Sequence, residues 1–457
     1  MKNSIFRPVD MTIGNPVRQI VTFMIPLLIG NLFQQLYNTV DSIVVGKFVG
    51  DNALAAVGSA GPVLNLLLVL FIGISVGAGI IVSQYFGARR REDLSKAIGC
   101  SITMTFLSAV IVMAITPIVV RPMLRLLNTP EEILDWCYSY LFIFFMGIAG
   151  CAYYNILSGI LRGLGDSMSA LLYLIIATVL NIVLDLFFVA KLGLGVSGVA
   201  LATVIAQSFS AFLSYLKLRR MTDCFDMKAA YLRPERKYVR ELFRLGLPSG
   251  VTQAIFSLSI ILVQSLTNTF GPTYIATNVI VMRIDGFVMM PAFSFGNAMT
   301  TFAGQNIGAG KLDRVLEGTR KGTLVAMATS TVITGLILLF GKSLMALFTN
   351  TQALIDRSYH MMMILGVGYI AMEVTQCLQG VMRGAGDTVT PMWLSIITTV
   401  IIRVPLAYLM TGMTKSPEHP QGEFSMLFVS LLICWLLGAA LTTLFFRRGK
   451  WKERALV

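Results

Sequence analysis

Two acidic residues stand where acids are rare. Asp41 and Asp185 each lie inside a long apolar run of the 457-residue chain. Gln34, Tyr37 and Asn38 precede Asp41 at spacings that place all four on one face of a helix, and Asn181 precedes Asp185 by about one helical turn. An ionisable side chain at bilayer depth costs about 2.5–3.5 kcal/mol on insertion scales, so it faces protein or water and marks a functional site. The apolar runs of the amino-terminal half carry no basic residue near their middles. Two carboxylates with no internal cation need a proton or a metal cation to be neutral. The chemistry these residues offer is reversible binding of a small cation. The plainer alternative is a pair of permanently protonated, hydrogen-bonded acids.

The carboxyl-terminal half is different. Its apolar runs hold Arg283, Asp285, Glu373 and Arg403, two charges of each sign. They either neutralise each other as buried pairs, or Asp285 and Glu373 face a substrate cavity. Met282, Met289 and Met290 lie beside Asp285 and offer a soft, adaptable apolar surface. Pro26, in the run that leads to Asp41, leaves a backbone carbonyl without its helical partner and permits a hinge.

Other chemistries lack their residues. Histidine occurs only at His360 and His419, with no metal-ligand spacing, and the six cysteines show no CxxC pairing. A nucleophile with its base, or a metal set, is therefore hard to assemble, and an intramembrane enzyme is not expected. No phosphate-binding GxxxxGK[ST] run appears, which argues against ATP hydrolysis. No cofactor is expected beyond H⁺ or Na⁺ as a coupling ion. The first apolar run is too long for the core of a cleavable signal peptide.

Positioning these side chains requires a membrane-embedded scaffold. Apolar residues make up 56% of the chain and charged residues 13%, about half the charged share of a soluble domain. A soluble fold of this length cannot hide that much apolar side chain, so the lipid bilayer is the solvent for much of it. Apolar runs define twelve spans, at 17–46, 53–86, 97–120, 133–161, 167–190, 196–216, 241–270, 274–306, 322–341, 353–382, 388–411 and 424–446. The expectation is an all-α, multi-pass membrane protein. Of the 36 Lys and Arg, 27 lie in or beside the amino terminus, the even-numbered connections and the carboxyl terminus; the odd-numbered connections hold 7. That asymmetry puts both termini in the cytoplasm. It also accounts for the net charge of +13 without any nucleic-acid partner, because the basic residues sit where an anionic leaflet attracts them.

The chain repeats itself. Gly159-Ile160-Leu161-Arg162-Gly163-Leu164-Gly165-Asp166 recurs 221 residues later as Gly380-Val381-Met382-Arg383-Gly384-Ala385-Gly386-Asp387. Gln84, Gly87 and Ala88 meet Gln305, Gly308 and Ala309 at the same shift, and Pro26 meets Pro248 one residue further on. The expected division is an amino-terminal six-helix lobe over 1–216, a basic cytoplasmic linker over 217–240 and a carboxyl-terminal six-helix lobe over 241–457. An even number of spans per repeat makes the repeats parallel, with a pseudo-two-fold axis along the membrane normal and substrate bound at the repeat interface. Within the loops, Arg162 with Asp166 and Arg383 with Asp387 are expected to pair and structure the turn; the alternative is a gate between the lobes.

These motifs resemble those of the MATE (multidrug and toxic compound extrusion) family. The resemblance runs over nearly the whole chain, through Pro26, Gln34-Gln35-Leu36-Tyr37-Asn38-Thr39-Val40-Asp41, the two RGxGD loops, Asn181 with Asp185, and Met290-Pro291 through Gly304-Gln305-Asn306-Ile307-Gly308-Ala309. It implies twelve helices in two lobes and export of amphipathic, mostly cationic small molecules in exchange for H⁺ or Na⁺. In the branch with an acidic amino-terminal lobe it places ion coupling on positions matching Asp41, Asn181, Asp185 and Thr203, with Asp41 and Asp185 as metal ligands where the ion is Na⁺. Gln34, Tyr37, Asn38 and Asn155 are the implied substrate contacts of that lobe, Met282, Asp285 and Glu373 those of the other, and Pro26 the hinge. Another branch uses a Glu on the seventh helix, where this chain has only the amides Gln253 and Gln264. Function as a monomer is expected. The alternative is export or flipping of lipid-linked saccharides, for which a basic cavity would be the sign.

Overall fold

A span that must satisfy its own backbone in lipid folds as a helix, and one exposed to lipid on one side and to neighbours on the other is apolar all round. The computed structural model describes residues 8–456 apart from 127–128 and 418; the first seven residues of the expected amino-terminal lobe lie outside this range. Among the described residues the regular structure is entirely helical. The helices are α1 (Pro16–Phe48), α2 (Asp51–Gly87), α3 (Arg91–Leu126), α4 (Glu131–Met146), α5 (Ile148–Gly163), α6 (Ser167–Asp185), α7 (Gly195–Arg219) and α8 (Arg236–Asn268). They continue as α9 (Pro272–Val288), α10 (Met290–Gly308), α11 (Leu312–Ala346), α12 (Gln352–Gly384), α13 (Val389–Ile396), α14 (Arg403–Met413) and α15 (Ser425–Arg447).

All twelve expected spans have a counterpart. Eleven are long and apolar enough to cross a bilayer as they stand, and the fourth is α4 with α5, bent by 53° at Gly147. The bend is a correction to the single helix expected over 133–161. Gly147 ends α4, and a side chain there would collide with Val204 of α7. Apolar periodicity carries no trace of it, because α4 and α5 are apolar on both sides of the break. Several helices outrun their expected limits: α3 begins at Arg91 and α11 at Leu312. The fifth and eleventh spans each contain a π-helical turn, over Leu186–Lys191 and Ile397–Ile402.

Two compact units emerge. The first is built on Ile25–Gly250 and also takes in Asp10 and Leu456; the second is built on Met11–Met24 and Val251–Ala455. The boundaries therefore fall within α1, next to Pro26, and within α8, next to Pro248, rather than in the expected linker. That linker is itself folded against α3. Arg91 donates to the backbone of Thr222 at 2.6 Å and Asp223 at 3.0 Å and pairs with Asp226 at 2.8 Å, while Thr103 donates to the Leu232 carbonyl at 2.6 Å.

The repeat has a local geometry in each unit. In the first, α5 crosses α2 at Gly159, where an added methyl group would meet the Ser75 carbonyl. In the second, α12 crosses α10 at Gly380, against the Gly296 carbonyl. The loops after these helices close identically. Asp166 N–H donates to the Leu161 carbonyl at 2.8 Å and Gly165 N–H to Arg162 at 2.9 Å; Asp387 and Gly386 do the same to Met382 and Arg383, at 2.9 Å each. Gly165 and Gly386 take φ of +89° and +93°, the left-handed turn this motif needs. Asp166 then caps α6 by accepting from Ser169 N–H at 2.9 Å and its hydroxyl at 2.7 Å, and Asp387 accepts from Thr390 N–H at 3.1 Å. The expected Arg162–Asp166 and Arg383–Asp387 pairs are thus not what structures these loops; the aspartates are helix caps.

Two repeat-related glutamines hold segments near the chain ends. In the first unit Gln84 Oε1 accepts from Leu456 N–H at 2.8 Å. In the second, Gln305 Oε1 accepts from Met11 N–H at 2.8 Å. Asn306, Lys311 and Arg314 add hydrogen bonds to the carbonyls of Met11, Thr12, Ile13 and Gly14.

Candidate functional sites

In the first unit α1 and α6 bring the two acids together. Asn181 and Asp185 point inward from the last turns of α6, both completely buried, and Asp41 is half-buried on α1. With its amide turned to donate, Asn181 sets its nitrogen 2.8 Å from Asp41 Oδ1 and 3.3 Å from Asp185 Oδ2. The two carboxyl groups are also within hydrogen-bonding reach of each other. Such a bond requires one of them to hold a proton. No Lys or Arg among the described residues pairs with either acid.

The surroundings are rich in oxygen. Asp185 Oδ1, Tyr37 Oη and Thr203 Oγ1 are buried without a hydrogen-bond partner. Tyr37 lies within electrostatic reach of both acids and approaches Thr203 of α7. Tyr140 of α4 is also within reach of both acids. Sequence reading passed over Tyr140, and nothing in its local pattern marks it, because an aromatic residue in an apolar helix reads as packing. Gln207 was also passed over; its Oε1 is buried and unpartnered one turn beyond Thr203 on α7, and that spacing is visible in the sequence. A buried group of carboxylates, amide and hydroxyl oxygens without a fixed cation can accept a proton or ligate a hard monovalent ion.

Other residues singled out from sequence lie elsewhere. Asn38 is exposed, and Gln34, half-buried, makes no hydrogen bond to the acid cluster. The Asn155 amide donates to the Cys151 carbonyl of its own helix at 2.8 Å, so it is not spent on the cluster. Helix α1 runs unbroken through Pro26.

The second unit contains a cavity of about 320 Å³ walled by α8, α9, α12, α14 and α15. Asp285 and Met282 of α9 line it, with Met289, Phe256, Trp435 and Arg403. Asn278 donates to Met282 Sδ at 3.4 Å. Glu373 is the correction here. It is 1% exposed, lies near Cys377 of α12, and does not line the cavity, where its neighbour Met372 stands instead. One position along a helix rotates a side chain by about 100°, so placing Glu373 within a span does not decide whether it or Met372 faces the cavity. Arg283 is exposed, so the four charges do not resolve into two buried pairs.

A membrane-embedded helical repeat with an acid cluster that no Lys or Arg among the described residues pairs with in one half, and a largely apolar cavity carrying Asp285 and Arg403 in the other, has the construction of a secondary transporter. The chain belongs to the MatE family. The family model matches twice, over residues 26–187 and again over 248–409, one match in each half of the chain. Over 407 residues the chain is 32% identical to "Probable multidrug resistance protein YoeA" of Bacillus subtilis, covering 87% of this chain and 88% of that one. It is 25% identical to "Probable multidrug resistance protein NorM" of Thermotoga maritima, covering 96% and 94%. Among solved structures, a MATE in the straight conformation superposes with a TM-score of 0.89 at 25% identity, covering 98% of this chain and 99% of that one.

Proposed function

We propose that this protein is a cation-coupled antiporter that exports amphipathic, mostly cationic drugs or toxic compounds across the cytoplasmic membrane by alternating access, working as a monomer with both termini in the cytoplasm. One observation carries the reading: Asp41, Asn181 and Asp185 form a buried acid cluster that no basic side chain among the described residues neutralises. A cation entering there removes charge repulsion between the carboxyl groups, and its departure restores it. The cluster is therefore an element with two charge states. H⁺ fits by binding a carboxylate, and Na⁺ fits by using Asp41 and Asp185 with the Thr203 hydroxyl, and with the Asn181 oxygen once its amide turns back from donating to the acids. One charge moved through a membrane potential of roughly 150 mV supplies about 3.5 kcal/mol to drive export. The names of the relatives support drug export, and the excess of basic residues on one set of connections supports the orientation.

The test is efflux of ethidium from inverted vesicles or cells under separately imposed pH and Na⁺ gradients. One gradient is expected to drive efflux, and Asp41→Asn is expected to abolish that dependence at normal expression. Gradient-driven efflux at the wild-type rate in Asp41→Asn sinks the assignment of the coupling site.

A further inference from the structure

A second, much smaller cavity of the second unit gathers hydrogen-bond donors and no acid. It encloses about 50 Å³ between α8, α12, α13, α14, α15 and the π-helical turn Ile397–Ile402, a distortion of a kind that often marks functional sites. That room holds a few waters or one small ion and falls far short of a pocket for a drug-sized ligand. Arg403, the first residue after the π-helical turn, brings a positive charge to it. Arg403 Nε is buried without a hydrogen-bond partner, and Nη1 reaches only Ser259 Oγ, at 3.4 Å. Asp285 lies within electrostatic range, but it makes no ion pair with Arg403 and its carboxylate is engaged by the Tyr369 hydroxyl. Among the described residues no Asp or Glu lines the small cavity. Gln376 and Gln379 of α12 and Ser395 of α13 line the same space, each no more than 5% exposed. Their side chains make no hydrogen bond among the described residues. Thr375 and Thr398, also on its wall, differ, because their hydroxyls donate to Ala371 at 3.0 Å and Leu394 at 2.8 Å.

We infer that this small cavity is a halide site, filled by chloride, with Arg403 as its cation and Gln376, Gln379 and Ser395 as its neutral donors. Two amides, a hydroxyl and a guanidinium are unspent around one enclosed space. Water answers their hydrogen bonds but leaves the buried charge of Arg403 uncompensated, whereas a small anion answers both. A cation is repelled by the guanidinium, and a multi-atom organic anion exceeds the room. Arg403 also lines the larger cavity, so a halide bound behind it cancels the positive charge that it otherwise presents there. The site stands on its own donors and does not rest on the export reading.

Bromide is the probe, because it replaces chloride and scatters anomalously. The melting temperature of the purified full chain in nanodiscs is titrated with bromide against gluconate at constant ionic strength; gluconate is too large for the cavity. The melting temperature is expected to rise and level off, by about 2 °C once bromide stands in roughly hundredfold excess over its midpoint. Arg403→Gln is expected to abolish that rise, Arg403→Lys to keep part of it, and Gln379→Leu to move the midpoint to higher bromide. Crystals of wild-type protein grown in bromide are expected to show an anomalous peak in the cavity within hydrogen-bonding distance of Arg403. A wild-type melting temperature indifferent to bromide overturns the inference, as does a rise that persists unchanged in Arg403→Gln, which marks a general salt effect. Density for water alone in the cavity at saturating bromide overturns it as well. The wild-type titration and diffraction need no variant, so poor folding of one cannot shelter the idea. Ethidium efflux is read separately, and its loss leaves the halide site untouched.

Discussion

The two halves of the chain share their scaffold and exchange their chemistry. The helix crossings at Gly159 and Gly380, the turns at Gly165 and Gly386 and the caps at Asp166 and Asp387 are the same features 221 residues apart. The functional positions are not. At the related positions Asp41 meets Val263, Asn181 meets Ile402, Asp185 meets Leu406 and Thr203 meets Phe424. In the reverse direction Asp285 meets Leu64 and Arg403 meets Ile182. Each half has made apolar what the other has made polar. Burying an unpaired charge is costly, so a fold with two equivalent places for it keeps one of each kind. The first half specialises in an acid cluster that no Lys or Arg among the described residues pairs with, the second in a cavity with both signs of charge.

The comparison is broken most severely at the acid cluster. Asp185→Asn is expected to abolish gradient-driven efflux while Asp285→Asn leaves the coupling in place and alters which probes bind; gradient and dye-binding assays on both variants check it. Loss of coupling in Asp285→Asn and its survival in Asp185→Asn would reverse the roles of the halves. Next comes the shared scaffold. Gly380→Ala drives a methyl group into the Gly296 carbonyl, and Gly159→Ala does so against Ser75; each is expected to cost about 1–3 kcal/mol, the usual range for overpacking, read as a lower melting temperature in nanodiscs.

Loss of the caps should cost less. Asp166→Ala and Asp387→Ala are each expected to cost roughly 1 kcal/mol, the usual value of an N-cap. Asp166 should cost more, because it also accepts from the Ser169 hydroxyl and lies 3.6 Å from Lys217. A smaller effect distinguishes the repeat at the ends of α2 and α10. Arg89 takes φ of +55° where its repeat partner Gly310 takes +71°, so Arg89→Gly is expected to stabilise by about 1 kcal/mol or less. Smallest is an acid effect in the α7–α8 connection. The hydrogen bond from Arg91 holds the Asp226 carboxyl below the usual carboxylate range. A depressed carboxyl contributes stability above its ordinary value and loses it as pH falls through the folded value. Melting curves of Asp226→Asn should match wild type in strong acid and fall slightly below it at neutral pH.

What could be read from the sequence depends on the range of the interactions. Asn181 and Asp185 share a face because of a spacing within one helix, and the repeat is a pattern in the chain itself. Asp41 joined them because an unbalanced acid in lipid needs company, an inference from charge and from family resemblance. The bend at Gly147 was hidden because its cause, Val204, lies on another helix. The Asn155 amide spends a hydrogen bond on Cys151 of its own helix, a local competitor that apolar periodicity does not register. Glu373 and Arg403 both read as membrane charges, and only packing distinguishes the one turned away from the cavity from the one that lines it.

Gln84 and Gln305 give the ends of the chain a further property. The segment at Met11 belongs with the second unit and Leu456 with the first, so each half of the sequence carries a short peptide that the other half's glutamine recognises. A gene cut in the α7–α8 connection and expressed as two pieces would therefore encode fragments that already hold matching keys and sockets. Such a split protein should reassemble without an added dimerisation tag.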